Sequence, residues 1–122
     1  TYHDPCNTAR KEGVFEEGRN VLKTACKDYR EMSPNRKYNY CCGGGGGFIA
    51  MPEFTDLRVK VKGQRKADQV RATGATLVAV PCHNCMDQFN DITKEFKLGT
   101  KNEHVCTIIQ DVVVQPEKKT EE

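Results

Sequence analysis

Apolar positions recur with helical spacing over three stretches of the chain. Between Val14 and Lys27, Phe15, Leu22, Ala25 and Cys26 mark one face and predict a helix. From Thr55 to Thr73, Leu57, Val61, Ala67 and Val70 keep the same period, with Thr55 as the expected N-cap and Gly74 as the terminator. A strand at residues 57–61, where apolar and polar side chains alternate, competes with this reading; the continuation through Ala67 and Val70 favours the helix. Met86, Phe89, Ile92, Thr93 and Phe96 predict a third amphipathic helix, closed by Gly99. Two other runs read as strands. Ala75 to Val80 is apolar and β-branched, as a buried central strand requires, and Pro81 stops it. Arg36 to Tyr40 alternates loosely and carries strand-like aromatics. Thr1 to His3 is a strand stub broken by Asp4-Pro5, and Ser33-Pro34-Asn35 is a turn. Val105 to Val113 reads as a last strand followed by a helix N-capped by Thr107; the charged residues 115–122 are expected to fray.

Strand and helix therefore alternate. This predicts an α/β domain over residues 1–114: a small parallel sheet with flanking helices in a Rossmann-like three-layer arrangement. The carboxyl ends of parallel strands share one edge, where open α/β folds bind ligands. Cys6, the pair Cys41-Cys42 and the Cys82-x-x-Cys85 motif each follow a predicted strand, so their thiols are expected to converge there.

Composition narrows the setting. The 122 residues suit one domain with a modest core, and a net charge of +2 gives no reason to expect nucleic acid. No run approaches the roughly 20 apolar residues of a membrane span, so direct membrane insertion is not expected. The chain opens on a motif without an initiator Met, which suggests a C-terminal piece of a longer protein with its first strand truncated. Seven cysteines invite a disulfide scaffold, but the number is odd, two are adjacent, and no secretory signal is evident. A reducing, cytoplasmic setting is favoured.

Thiolates brought to one point bind soft metals or an iron–sulfur core. A lone Cys-x-x-Cys also suits a dithiol redox pair, and its place at a helix N-terminus favours the thiolate. Five thiols exceed the four of a tetrahedral zinc site, and adjacent cysteines suit two different metal atoms better than one. Gly43 to Gly47 offers backbone without side chains, which lets amides at Gly43, Gly44 and Gly45 approach a bulky inorganic group and hydrogen-bond its sulfurs. A phosphate loop needs Gly-Lys-Ser/Thr after its glycines, whereas Phe48-Ile49-Ala50 follows here. A structural zinc module and a cluster-free dithiol module at Cys82 and Cys85 stand as alternatives to an iron–sulfur centre.

The strings YHDPC, YCCGGGGG and PCHNC resemble the CCG-type cysteine-rich domain. That domain occurs in the B subunit of heterodisulfide reductase, in iron–sulfur subunits of glycolate and glycerol-3-phosphate oxidation, and in the K subunit of the membrane-bound Dsr complex. The glycine run followed by FIAMPE looks most like the K subunit. The 39 residues between Cys42 and Cys82 are slightly more than is common in the family, and the ferredoxin-like motifs that usually precede the domain are missing. The resemblance implies that Cys6, Cys41, Cys42, Cys82 and Cys85 hold a non-cubane [4Fe–4S] cluster, with zinc as a substitute. It further implies electron exchange between an upstream ferredoxin-like cluster domain of the same protein and a disulfide or trisulfide on a small sulfur-carrier protein. The setting would be cytoplasmic, reached at the membrane face through partner subunits of a membrane-associated complex.

Other residues carry plainer expectations. Cys26 and Cys106 read as packed thiols. His3 and Asp4 read as structural to the first turn, His83 as a solvated loop residue or a donor to sulfur, and His104 as surface. Lys60, Lys62, Arg65, Lys66 and Arg71 read as a solvated helix face, with a docking patch for an acidic partner as the alternative.

Overall fold

A computed structural model of the chain describes residues 1–115. Six regular elements form in the order α1 (Glu16–Ala25), α2 (Gly63–Thr73), β1 (Leu77–Val80), α3 (His83–Phe96), β2 (Lys101–His104) and α4 (Val105–Val112). β1 and β2 pair in parallel, from Leu77 opposite Lys101 to Val80 opposite His104. On the other edge of β1 the N-terminal stub pairs in parallel through Tyr2 and Ala79, with His3 N donating to Ala79 O at 3.0 Å. β1 is therefore central, as its unbroken apolar run requires.

Alternation along β1 sends its side chains to two cores. Val78 and Val80 pack with Met32, Val70 of α2 and Phe89 of α3, while Ala79 packs with Tyr2, Leu22 of α1 and Ile108 of α4. Helices thus cover both faces of a small parallel sheet, the α/β arrangement expected. α2 and α3 meet closely because Gly63 has no side chain; a Cβ there would lie 2.8 Å from Ile92 Cγ1.

Several elements differ from expectation, each for a local reason. Residues 36–40 form no strand. Arg36 to Tyr38 is a single 3-10 turn, and Tyr38 and Tyr40 are exposed platforms beneath Lys37 and Arg65. The helix over 55–73 is present and the rival strand is absent, but Thr55 is already helical and does not cap it. A wide π-type turn over Leu57–Lys62 rotates the buried face, so Val59 and Arg58 turn inward while Leu57 and Val61 are exposed, Val61 at 64%. Gly74 ends the helix in the left-handed conformation, as read from the sequence. α3 is closed first by Lys97, also left-handed, with Gly99 two residues on. The last strand lies before Val105, and His104 rather than Thr107 caps α4, accepting from Cys106 N at 3.2 Å. Its other ring nitrogen meets Pro81 O at 3.1 Å, so His104 is half-buried structure. Of the charged tail, residues 116–122 lie outside the described part.

Candidate metal centre

Cys82 sits at the carboxyl end of β1, where the chain turns into α3; its carbonyl accepts from Met86 N at 2.9 Å. Cys85 falls in the first turn of α3, on the buried face. Cys42 ends the irregular segment that crosses the sheet edge, and its Sγ lies 3.1 Å from Cys85 Sγ. Both cysteines are free, and the separation is far beyond the ~2.05 Å of a disulfide. Cys41 is exposed beside Cys42, and the Cys42 and Cys6 thiols are among the groups that act on its titration. Cys82 packs against the core that holds Cys42 and Cys85. Cys42 and Cys85 thus meet beside His3, with Cys41 next in the chain and Cys82 packed against the same core. Only Cys82 follows a sheet strand proper; Cys6 follows the paired stub, and the doublet follows no strand.

Gly43 N donates to Cys41 Sγ and Gly44 N to Cys42 Sγ, both at 3.4 Å. Gly44 passes so close to α3 that a Cβ would lie 2.8 Å from Asn84 O and from Gln88 Cβ. Gly43 has φ +90°. Both amides are thus turned toward cysteine sulfur. Gly45 has nothing within 4 Å of its would-be Cβ, so no close approach within the protein requires it.

Four residues that the sequence reading set aside or passed over support the thiols. Gln88 of α3 is fully buried and donates to Cys42 O at 2.9 Å and Arg58 O at 2.8 Å, while its Oε1 accepts from Arg58 Nη1 at 2.6 Å. That side chain pins the doublet to α3. His3 is buried, with a ring nitrogen within 4.8 Å of the Cys42 and Cys85 sulfurs; it is more than a turn residue. Asn39 and Lys66 are buried behind it. Lys66 corrects the expected solvated basic face: it is 0% exposed. Val59, Gly63, Lys66, Ala67 and Val70 form a clean helical stripe, and that stripe was the signal available for finding it.

Of the remaining cysteines, Cys26 is half-buried against the second core, as expected of a packed thiol. Cys106 is exposed, which corrects the packed reading. His83 is 89% exposed beside Asp87.

Electrostatics keep the Cys41 and Cys42 thiols protonated in the cluster-free protein. Contact with Cys42, followed by burial, raises the Cys41 thiol. The hydrogen bond with Cys41 lowers the Cys42 thiol, but the contact with Cys85 and burial outweigh it and push it up to about 12. Burial and the Lys66 charge hold His3 neutral, well below the ordinary histidine range. Metal binding at this site therefore has to displace thiol protons. In cluster-free protein at pH 8, alkylation followed by mass spectrometry is expected to modify the exposed Cys106 well before the buried Cys42. The thiolate fraction at Cys42 falls on the order of a thousandfold for a shift from 9.0 to about 12. Equal rates at the two positions would contradict the buried geometry.

The donor set fits a thiolate-bound inorganic group: soft sulfurs in contact, amide N–H groups aimed at two of them, and a buried His3 Nε2 with no partner. Among the described residues no helix is long and apolar enough to cross a membrane.

No solved structure matches the chain. The Hdr-like menaquinol oxidoreductase iron-sulfur subunit 2 of Archaeoglobus fulgidus is 36% identical over 103 residues, 80% of this chain and 18% of that protein. The D subunit of the dihydromethanophenazine:CoB–CoM heterodisulfide reductase of Methanosarcina mazei is 32% identical over 114 residues, 93% of this chain and 27% of that protein. The EtfAB:quinone oxidoreductase of Syntrophomonas wolfei is 31% identical over 98 residues, 77% and 14% respectively. The chain thus spans between 14 and 27% of the length of these relatives. The family model for the CCG cysteine-rich domain matches residues 1–90, and the chain belongs to that family.

Proposed function

We propose that this chain is an iron–sulfur redox domain whose Cys6, Cys41, Cys42, Cys82 and Cys85 hold a non-cubane [4Fe–4S] cluster, with Gly43 and Gly44 donating to its sulfurs. The observation that carries the reading is the 3.1 Å contact of the buried Cys42 and Cys85 sulfurs. Such a group supplies single electrons and an iron site for a released thiolate, which together suit two-electron disulfide chemistry.

The rest falls to this chain's own residues. Gln88 and Gly44 hold the doublet against α3 and keep water from Cys42. Cys41 lines an open cleft of about 690 Å³ with Arg10, Tyr40, Phe48, Lys62 and Arg65. Cations beside apolar walls suit an acidic, sulfur-bearing partner segment, and this supports the docking alternative for Lys62 and Arg65. On this reading the substrate is a disulfide or trisulfide on a small sulfur-carrier protein. Electrons pass between it and a ferredoxin-like cluster domain elsewhere in the same protein. Residues 1–114 form the domain, within a redox complex at the cytoplasmic face of a membrane. The names of the relatives, iron–sulfur and heterodisulfide reductase subunits among them, support this assignment.

The test is anaerobic reconstitution with iron and sulfide. About four irons with matching sulfide per chain are expected, with a paramagnetic signal in one redox state. Serine at any of the five positions should lower iron content severalfold, whereas C26S and C106S should leave it unchanged. One zinc without sulfide would replace the proposal with a structural zinc module, and no metal at all would leave a dithiol module.

A further inference from the structure

Lys66 raises a problem of charge. It is fully buried, yet its ammonium donates only to neutral acceptors: Gln69 Oε1 at 2.7 Å, Asn39 Oδ1 at 3.0 Å and Met32 Sδ at 3.9 Å. Its Nζ also lies 6.0 Å from the Phe89 ring centroid. An ammonium buried without an anion is costly, and an apolar side chain would suit the fold better. The nearby carboxylate, Asp4, is already engaged: both its oxygens accept from Arg19 at 2.6 Å, and one also accepts from Arg36 N at 2.7 Å. Burial brings the Lys66 ammonium down to about 8, with the Asp4 charge opposing the fall, so it carries its charge at neutral pH. Among the described residues no anion contacts Nζ, and beyond Asn39 and His3 lies the thiol edge.

The hydrogen bonds between Lys66 and that edge fix their own directions. An ammonium only donates, so the oxygen of Asn39 faces Lys66. Gln69 Nε2 also donates to that oxygen, at 3.4 Å. The amide nitrogen of Asn39 then faces the other way, donating to Asp4 O at 3.1 Å and meeting His3 Nδ1 at 3.3 Å. Nδ1 must accept, so the neutral imidazole carries its proton on Nε2. Nε2 is buried and has no partner, and a ring nitrogen of His3 lies within 4.8 Å of the Cys42 and Cys85 sulfurs.

We infer that Lys66, acting through Asn39 and His3, is the buried counter-cation of the group held at Cys42 and Cys85, and that His3 presents Nε2–H to it as a hydrogen-bond donor, not a ligand. The inference rests on the cluster reading above. A positive charge and a fixed donor favour the more negative of two redox states, so Lys66 raises the reduction potential. It is a positioning residue, acting through charge and through His3.

The test compares the unsubstituted reconstituted protein with K66M, K66R and H3F, reading iron, sulfide and midpoint potential. Iron and sulfide are expected to stay at the unsubstituted level. K66M should lose at least tenfold of the preference for the reduced form, a fall of about 59 mV for a one-electron couple. K66R should restore most of that, and H3F should move the potential the same way as K66M. An unchanged potential in K66M with full iron overturns the inference alone, while an unsubstituted protein without iron removes the cluster reading and the inference with it. Should K66M fail to fold, pulsed paramagnetic resonance on unsubstituted protein carrying ¹⁵N-histidine decides. A weak coupling from one imidazole and its exchangeable proton is expected, and a strong coupling typical of iron-bound nitrogen overturns the proposal.

Discussion

Replacing Asp4 by Ala is expected to cost about 3–5 kcal/mol of folding stability, because it strands a buried guanidinium. Arg19 is fully buried, and its fork is filled by Asp4 on one side and by Glu31 at 2.7 and 3.0 Å on the other; Nη1 also donates to Phe15 O at 2.6 Å. Asp4 additionally accepts from Arg36 N, so one carboxylate ties α1, the N-terminal stub and the segment entering the doublet. Removing it leaves Glu31 as the remaining acidic partner of Arg19, from a side chain 31% exposed. Urea denaturation of cluster-free D4A, R19M and the double variant reads the effect. The double variant should be less destabilised than the sum of the two singles, since neither charge is then left alone. A loss below about 1 kcal/mol in D4A would mean that the ion pair does not hold these three segments together.

Gly44→Val should abolish metal retention. The added side chain would start 2.8 Å from Asn84 O and from Gln88 Cβ, a backbone atom and the root of a packed side chain, neither of which has room to yield. The chain at 42–44 must then lift from α3. That breaks the Gln88 bond to Cys42 O and parts the Cys42 and Cys85 sulfurs. Overpacking of this kind costs about 1–3 kcal/mol, and iron bound after reconstitution should fall about tenfold or more. Gly45→Ala is the control. Its Cβ meets nothing within 4 Å and its φ is not in the left-handed region, so stability should move by no more than about 0.5 kcal/mol and iron content should hold. Iron retained in G44V, or lost in G45A, would mean that the contact with α3 is not what sets the thiol geometry.

How far the sequence carried the structure depends on where each signal resides. β1 was legible because a central strand must be apolar on both faces. β2 was not: Lys-Asn-Glu-His is polar, lies at the sheet edge, and is held by backbone pairing with β1, to which side-chain patterns are blind. The supposed strand at 36–40 failed for the converse reason. Its aromatics serve as surface stacking platforms, and its inward polar contacts come from Arg36 N and Asn39, not from a strand ladder. The helix over 55–73 was found but misphased. The wide turn at Leu57–Lys62 shifts the buried stripe, so Leu57 and Val61 seemed inward and Lys66 outward. The convergence of cysteines was argued from strand ends, but the route differs: Cys82 follows a true strand, Cys6 a bridged stub, and the doublet an unpaired segment whose Cys42 meets Cys85. His3, Asn39, Gln88 and Lys66 were invisible as a set because they come from four separate segments and meet only in three dimensions.

The doublet also sorts its two sulfurs by reach. Cys41 stands at the cleft mouth and Cys42 is 2% exposed behind the Gly44 and Gln88 wall, so adjacent positions in the chain answer to different environments. Solvent reaches the outer sulfur first, while its raised thiol keeps it from reacting as a thiolate. A reagent entering the cleft therefore touches Cys41 before it can disturb the contact of Cys42 with Cys85.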